Sequence, residues 1–108
     1  MEITINNINI NNYINGVFND IIKINWQVGE LQKNIIDNFP NLRELICINH
    51  QITTLEPLSD CINLQELFCS YNKITTLEPL SNCINLQKLY CNNNQIISLE
   101  PLFNCVNL

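Results

Sequence analysis

The residues of this chain that could carry out chemistry are six cysteines, one histidine and a series of glutamates. The cysteines follow one another at spacings of 14, 8, 14, 8 and 14 residues. A zinc site would need closely spaced ligands such as a Cys-x-x-Cys pair, and the sequence has no such pair and only His50 as an imidazole. The regular spacing instead predicts small buried side chains that stay as thiols in a reducing compartment.

The histidine and the glutamates predict no catalytic or metal site. A catalytic base needs a nucleophile and an orienting group, and the sequence supplies no such set around His50. Glu56, Glu78 and Glu100 each precede a proline, so their carboxylates recur one per unit and not within one calcium-binding loop. We therefore expect a solvent-exposed acidic column, with no cofactor, no metal and no enzyme activity.

The spacing of these residues follows from three copies of a 22-residue unit. The copies begin at Leu42, Leu64 and Leu86, and the second reads LQELFCSYNKITTLEPLSNCIN. Self-similarity at this period predicts a solenoid, in which each unit can bury its apolar face only against its neighbours.

Each unit is expected to contain one short strand. Leu67 and Cys69 alternate with Phe68 and Ser70, which predicts a strand of three to five residues with the first pair buried. Stacking then places the strands in a parallel sheet, about 4.8 Å apart. The remainder of the unit would return along the convex side, where each proline starts the return turn and keeps the residue before it extended.

The pattern L-x-x-L-x-C-x-x-N-x-I-x-x-L-x-P-L resembles the leucine-rich repeat. The unit length is similar to the short class that includes bacterial internalins and a regulatory subunit of protein phosphatase 1. Asn makes up roughly a fifth of the residues and Ile about a sixth. With this composition, the repeat sequence resembles leucine-rich repeat proteins of large DNA viruses that infect amoebae. The resemblance implies an α/β repeat fold, a right-handed solenoid with a short parallel concave sheet, and a protein-interaction module without catalytic activity.

The first part of the chain departs from the regular pattern. Its isoleucines at alternate positions predict short extended segments, while the apolar spacing over residues 13–22 suits one face of a short helix. Residues 30–38 suit a second helix. This region would cover the open end of the core as an N-terminal cap.

A degenerate copy of the repeat is visible before the regular ones. The segment from Ile21 imitates the unit with a 21-residue offset, which places Trp26 in the column of Cys47. We predict that residues 1–38 form an N-terminal cap with one degenerate repeat. Residues 39–108 would then form about three leucine-rich repeats, truncated at the start of a fourth.

The non-core residues of the three predicted strands define a partner-binding concave face. They form three rows, of which the middle one is apolar and aromatic although it should face outward. Strand propensity explains these residue types as well as a binding stripe does, so the sequence leaves both interpretations open. The rows are Glu44, Glu66 and Lys88; Ile46, Phe68 and Tyr90; and Ile48, Ser70 and Asn92.

The turn that follows each strand holds His50, Asn72 and Asn94 in one column. An Asn amide at this place can satisfy the backbone groups of its own turn and of the neighbouring coil. We interpret His50 as a stand-in for that Asn.

Charge and hydropathy disfavour nucleic acids and membranes as partners and leave another protein as the expected one. The net charge of −5 disfavours nucleic acids and anionic membranes, which select basic surfaces. No apolar run approaches the ~20 residues of a membrane span, and the first residues do not form a secretory signal. The expected location is the cytoplasm, or the host cytoplasm for a viral protein.

Three alternatives stay open on the sequence. The first is a regulatory subunit of a protein phosphatase, by resemblance to the 22-residue class. The second is a structural or decaying gene product without a specific partner. The third is end-to-end self-association, because the sequence stops at Leu108 without a polar capping element that would cover the last repeat.

Overall fold

A five-stranded, all-parallel sheet organises the molecule. The structure is a computed structural model that describes residues 1–108. Each strand pairs only with the strands before and after it in the sequence, so the sheet is open and has two edges. This arrangement confirms the predicted leucine-rich repeat solenoid. The strands are β1 (Glu2–Asn6), β2 (Lys23–Gln27), β3 (Glu44–Ile46), β4 (Glu66–Phe68) and β5 (Lys88–Tyr90).

The pairing register follows the repeat of the sequence. Glu44 lies beside Glu66 and Glu66 beside Lys88, an offset of 22 residues. The preceding pairs, Glu2 with Lys23 and Lys23 with Glu44, have an offset of 21 residues. The segment that imitates the repeat thus pairs in the sheet with the 21-residue offset noted in the sequence, and a further strand, β1, lies on its outer side.

The return turns are single turns of 3-10 helix at Glu56–Leu58, Glu78–Leu80 and Glu100–Leu102. Proline suits the first turn of a helix because the N–H that it lacks has no partner there. The expectation that each glutamate before the proline stays extended is wrong, since the glutamate is the first residue of the helical turn.

The predicted helix over residues 13–22 is also wrong. A single 3-10 turn covers Ile10–Tyr13, and the chain then bends at Gly16, whose φ of +119° favours glycine. The aromatic rings pack on one another, with ring centroids 5.2 Å apart between Phe18 and Phe39 and 5.4 Å between Tyr13 and Phe18. The helix expected within residues 30–38 is confirmed as α1 (Lys33–Ile36).

The core runs along the solenoid beneath the sheet. Trp26 is fully buried, and its indole Nε1–H donates to the Gly29 carbonyl at 2.9 Å. Because Asn25 pairs with Ile46, Trp26 follows in the column of Cys47 as predicted. No helix of the chain is long and apolar enough to cross a membrane.

The six cysteines are free thiols. Four of them are buried, and Cys61 and Cys91 are half-buried. Burial raises the pKa of Cys47 to about 12 and that of Cys83 to about 11. Because the thiolate is the reactive form, these side chains act as core residues and not as nucleophiles at neutral pH.

Candidate protein-binding face

The middle row of the concave face is built by the strand register. Phe68 pairs with Tyr90, so their side chains leave the sheet in the same direction, one strand spacing apart. Their rings stack with centroids 5.0 Å apart and an interplanar angle of 7°. Tyr90 is 52% exposed, while Ile46 and Phe68 are half-buried. The structure thus brings the three predicted apolar residues together as one stripe that is exposed at Tyr90 and half-buried at Ile46 and Phe68.

A row of charged side chains runs beside the stripe. Lys88 Nζ lies 3.4 Å from a carboxylate oxygen of Glu66, and Lys23 Nζ lies 2.7 Å from Glu44 and 3.7 Å from Glu2. The signs alternate along the row except where Glu44 and Glu66 are neighbours. This row therefore presents ordered charges whose partners lie on the adjacent strands.

Glu44 is the most strongly held acid of the charged row. A hydrogen bond with the neighbouring Glu66 carboxyl, and then the hydrogen bond and charge of Lys23, hold the pKa of Glu44 below 4.5, its usual value. The hydrogen bond to Glu44 raises the pKa of Lys23. Both groups therefore stay charged at neutral pH and keep the row ordered.

One residue of the third row does not lie on the surface, where the sequence places it. Ile48 is 39% exposed and Asn92 is exposed. Ser70 is buried, contrary to the prediction, and its Oγ donates to Asn92 Oδ1. All three residues lie past their strands and next to a residue of left-handed φ, so the difference comes from the side chain: the small Ser70 is held under the next coil by its hydrogen bond to Asn92. Ser70 therefore serves the turn instead of the surface.

The Asn column below the face is a ladder of amides. Asn72 Nδ2 donates to the carbonyls of Cys47 at 2.9 Å and Cys69 at 3.0 Å, and Asn72 Oδ1 accepts from the N–H groups of His50 and Ile52, each at 3.0 Å. One side chain thus fastens its own turn to the coil before it. These are the contacts that the predicted role of the Asn requires.

Asn94 repeats this arrangement one coil later. Its Nδ2 donates to Cys69 and Cys91, and its Oδ1 accepts from Ile74. The interpretation of His50 as a stand-in is wrong, because the imidazole makes none of these hydrogen bonds. It contributes only its backbone N–H to Asn72, since a ring cannot offer a donor and an acceptor in the geometry of an amide.

Sequence reasoning missed the first members of the rows. The register extends the middle row through Asn25 and Thr4, and the charged row through Lys23 and Glu2. The 21-residue offset that aligns Trp26 with Cys47 also aligns Lys23 with Glu44 and Asn25 with Ile46. The sequence could therefore have predicted these two members of the rows. The face is therefore five strands wide, polar at its N-terminal side and aromatic at its C-terminal side.

The convex side contrasts with the concave face. The three glutamates of the return turns are exposed, as expected for a solvated column. Their turns are separated by the width of one coil, and the residues that line the shallow groove between two turns are Thr75, Thr76, Glu78, Ile97, Ser98, Glu100 and Pro101. The groove itself contains no aromatic ring, and the one exposed aromatic side chain next to a return turn is Phe103, which is 86% exposed after the last turn.

Comparisons with known proteins agree with the geometry. A family model described as Leucine Rich repeats (2 copies) matches residues 40–82 and again residues 62–104. Among solved structures, the chain is similar to an internalin (inlF) from Listeria monocytogenes, with 36% identity and a TM-score of 0.70, covering 75% of this chain and 23% of that one.

A second solved structure, an internalin C2 (inlC2) from the same bacterium, is 31% identical with a TM-score of 0.69 and covers 77% of this chain and 36% of that one. The chain therefore spans about a quarter to a third of the length of these internalins. No curated protein matches the chain.

Proposed function

This chain belongs to the leucine-rich repeat family, and we propose from that premise that its concave face binds a protein partner. Stacked repeats form extended concave surfaces that solenoid proteins use for binding. The face of this chain is five strands wide and continuous. The proposal assigns the contact to the middle row and the orientation of the partner to the charged row.

The stacked pair of Phe68 and Tyr90 is the observation that carries this proposal. Transfer of an exposed aromatic ring from water into an interface is favourable. Aromatic residues therefore dominate the affinity of many protein interfaces. The two rings already hold each other in place at 5.0 Å, so little side-chain entropy is lost when a partner covers them. Ile46 extends the apolar stripe toward the centre of the sheet.

The charged row favours a partner with its own alternating charges. Lys88 is exposed and Glu66 is half-buried, so their ion pair contributes little to stability. Exposed charges of this kind steer association and fix orientation more than they add affinity. We therefore assign Glu66 and Lys88 to orientation, and Glu44, whose pKa is held low, to a permanent negative charge at neutral pH.

We further propose that the chain has no catalytic activity of its own. The charged groups of the concave face pair with one another, and the single histidine lies in a turn whose hydrogen bonds are structural. Catalysis requires a nucleophile, a base and an orienting group at one place, and the sequence and the contacts of these residues support binding instead.

The experiment is capture of partners from a cell lysate by the chain and by a double variant, Phe68→Ser with Tyr90→Ser. Because both side chains point away from the core, the variant should fold, which circular dichroism checks. Each change should cost about 2 kcal/mol of binding free energy or more, so a captured partner should be lost.

The matched control is Glu78→Gln with Glu100→Gln, two changes on the convex side of the same two coils. Capture should be unaffected by this pair. If the convex changes abolish capture and the concave changes do not, the binding face is assigned wrongly.

A further inference from the structure

An asparagine followed by glycine loses its side-chain amide more readily than other asparagines do, and this chain has one such pair. Of its 21 asparagines, only Asn15 precedes a glycine, since the other glycine, Gly29, follows Val28. The side chain of most residues shields their backbone N–H from the amide before it, and glycine has no side chain. The Gly16 nitrogen is therefore the least obstructed nucleophile next to any asparagine of the chain.

The structure leaves the pair of Asn15 and Gly16 free to react. Both residues are exposed and lie in the bend that follows the first 3-10 turn. No backbone group of residues 15–17 makes a hydrogen bond to the backbone, and the Asn15 amide has no partner, unlike the amide of Asn38. The attacking nitrogen and the leaving amide therefore face water without a competing contact.

Asn38 holds the chain on both sides of this bend. Its Nδ2 donates to the carbonyls of Tyr13 at 2.9 Å and Ile14 at 3.1 Å. Its own carbonyl accepts from the Phe18 N–H at 2.8 Å, and the Phe18 ring stacks on Phe39. The segment between these anchors can therefore change conformation without breaking a hydrogen bond of the fold.

We propose that Asn15 is a site of spontaneous deamidation and that its isoaspartate product loosens the packing of residues 13–18 on Phe39. The Gly16 nitrogen, after losing its proton to hydroxide, attacks Asn15 Cγ and forms a new bond between nitrogen and carbon. The bond between Cγ and Nδ2 then breaks, and Nδ2 leaves as ammonia after taking a proton from water. The product is a five-membered succinimide, and the site uses no residue of the concave face.

Water opens the succinimide in one of two ways, adding its hydroxyl to a carbonyl carbon and its proton to the Gly16 nitrogen. Cleavage at the side-chain Cγ restores the main chain and leaves an aspartate at position 15. Cleavage at the backbone carbonyl carbon leaves a main chain that runs through Cβ and Cγ, which is isoaspartate. Either product replaces a neutral amide by a carboxylate, so the net charge of −5 becomes more negative by one.

Only isoaspartate changes the length of the bend. It adds one carbon atom to the main chain between the Ile14 carbonyl and the Phe18 N–H, the two groups that Asn38 holds. The Phe18 ring lies 3.4 Å from the position that a Cβ on Gly16 would take, so the inner side of the bend has no room for the extra atom. The longer chain should therefore pull the Phe18 N–H away from Asn38.

The test is incubation of the native chain at mildly alkaline pH, followed by peptide mapping with mass spectrometry. The peptide that contains Asn15 should gain the mass that replaces NH2 by OH, at a rate that rises in proportion to the hydroxide concentration. Asn15→Gln should abolish this phase, because the longer side chain would have to close a less favourable six-membered ring. Asn19→Gln is the matched control and should leave the phase unchanged, since Asn19 is also exposed but precedes Asp20.

The same incubation in urea separates the effect of the structure from that of the sequence. A free bend should let Asn15 react in the folded chain nearly as fast as in the unfolded chain. Asn85, whose amide is held by the Ile62 carbonyl at 2.9 Å, should instead react more slowly when the chain is folded. If folding slows Asn15 as strongly as Asn85, or if the Asn15 peptide keeps its mass, the proposal is overturned.

The isoaspartate form, separated from the parent by ion exchange, tests the structural effect. Its Phe18 amide should exchange with deuterium faster than that of the parent, and its denaturation midpoint should be lower. The Asn15→Asp variant has the added charge without the extra main-chain carbon, so it should keep the protection of the parent. Equal protection of Phe18 in all three forms would overturn the proposed loosening. Equal loss in the two modified forms would also overturn it, because the charge alone would then be the cause.

Discussion

The recurring polar residues of this chain stabilise its turns through hydrogen bonds. Asn72 makes hydrogen bonds to two coils from one buried amide. The buried backbone of a turn needs such partners because it has no strand or helix to supply them. His50 occupies the same column without these bonds, so the column is defined by hydrogen bonding and not by position in the repeat.

Asn72→Ala should destabilise the protein by at least about 1–3 kcal/mol, the cost of a buried backbone group left without a partner. The Ile52 N–H and the carbonyls of Cys47 and Cys69 would all lose one. Urea denaturation of the variant measures this loss. His50→Ala serves as the control and should cost clearly less, and equal losses in the two variants would contradict the amide ladder.

The strand and return turn of each coil act as one element. Each three-residue strand buries only its central leucine, Leu45 in β3 and Leu67 in β4. The next buried contact must therefore come from the residue after the strand. Cys47 and Cys69 supply it, since both are fully buried. The 3-10 turn then brings Leu58 or Leu80 back against the same core.

Leu67→Ala should cost about 2–5 kcal/mol, because the cavity would lie in the middle of the stack, where neighbouring coils restrict collapse. The measurement is the free energy of unfolding in denaturant. Leu89→Ala is the matched change one coil later, where the leucine is only half-buried, and it should cost less. A midpoint unchanged by Leu67→Ala would refute the register of the repeat.

The whole molecule has a gradient of burial along its axis. Ile74, Leu77 and Leu80 are fully buried in the second regular repeat, while their equivalents in the third are half-buried or exposed. A coil with neighbours on both sides gains two interfaces, and a terminal coil gains one. In this structure, stability is therefore lowest in the third regular repeat.

Native-state hydrogen exchange at low micromolar concentration should show this gradient. Amides of residues 86–107 should exchange through local openings of lower free energy than those of residues 42–85. Uniform protection along the chain would show that the repeats unfold as one unit and would contradict the gradient.

Much of the fold could be predicted from the sequence because the period of a repeat determines the register in which its strands pair. The 22-residue period set the parallel pairing of Glu44, Glu66 and Lys88, the burial of Leu67 and Cys69, and the side on which Phe68 and Tyr90 emerge. The 21-residue offset at Trp26 predicted in the same way how the degenerate repeat aligns with the first regular one. The viral resemblance, the cytoplasmic location and the division at residue 38 stay predictions.

What the repeat could not specify were contacts between residues that differ from one unit to the next. The bend at Gly16 replaced a helix because the rings of Tyr13 and Phe18 pack against Phe39, far along the chain. Ser70 is buried while Ile48 and Asn92 at the same place of their repeats are exposed, because it is small and its hydroxyl donates to Asn92 of the next coil. Asn9 occupies the outer edge of β1, where its side chain accepts from the Asn6 N–H and donates to the Thr4 carbonyl, and spacing in the sequence carries no information on such a contact.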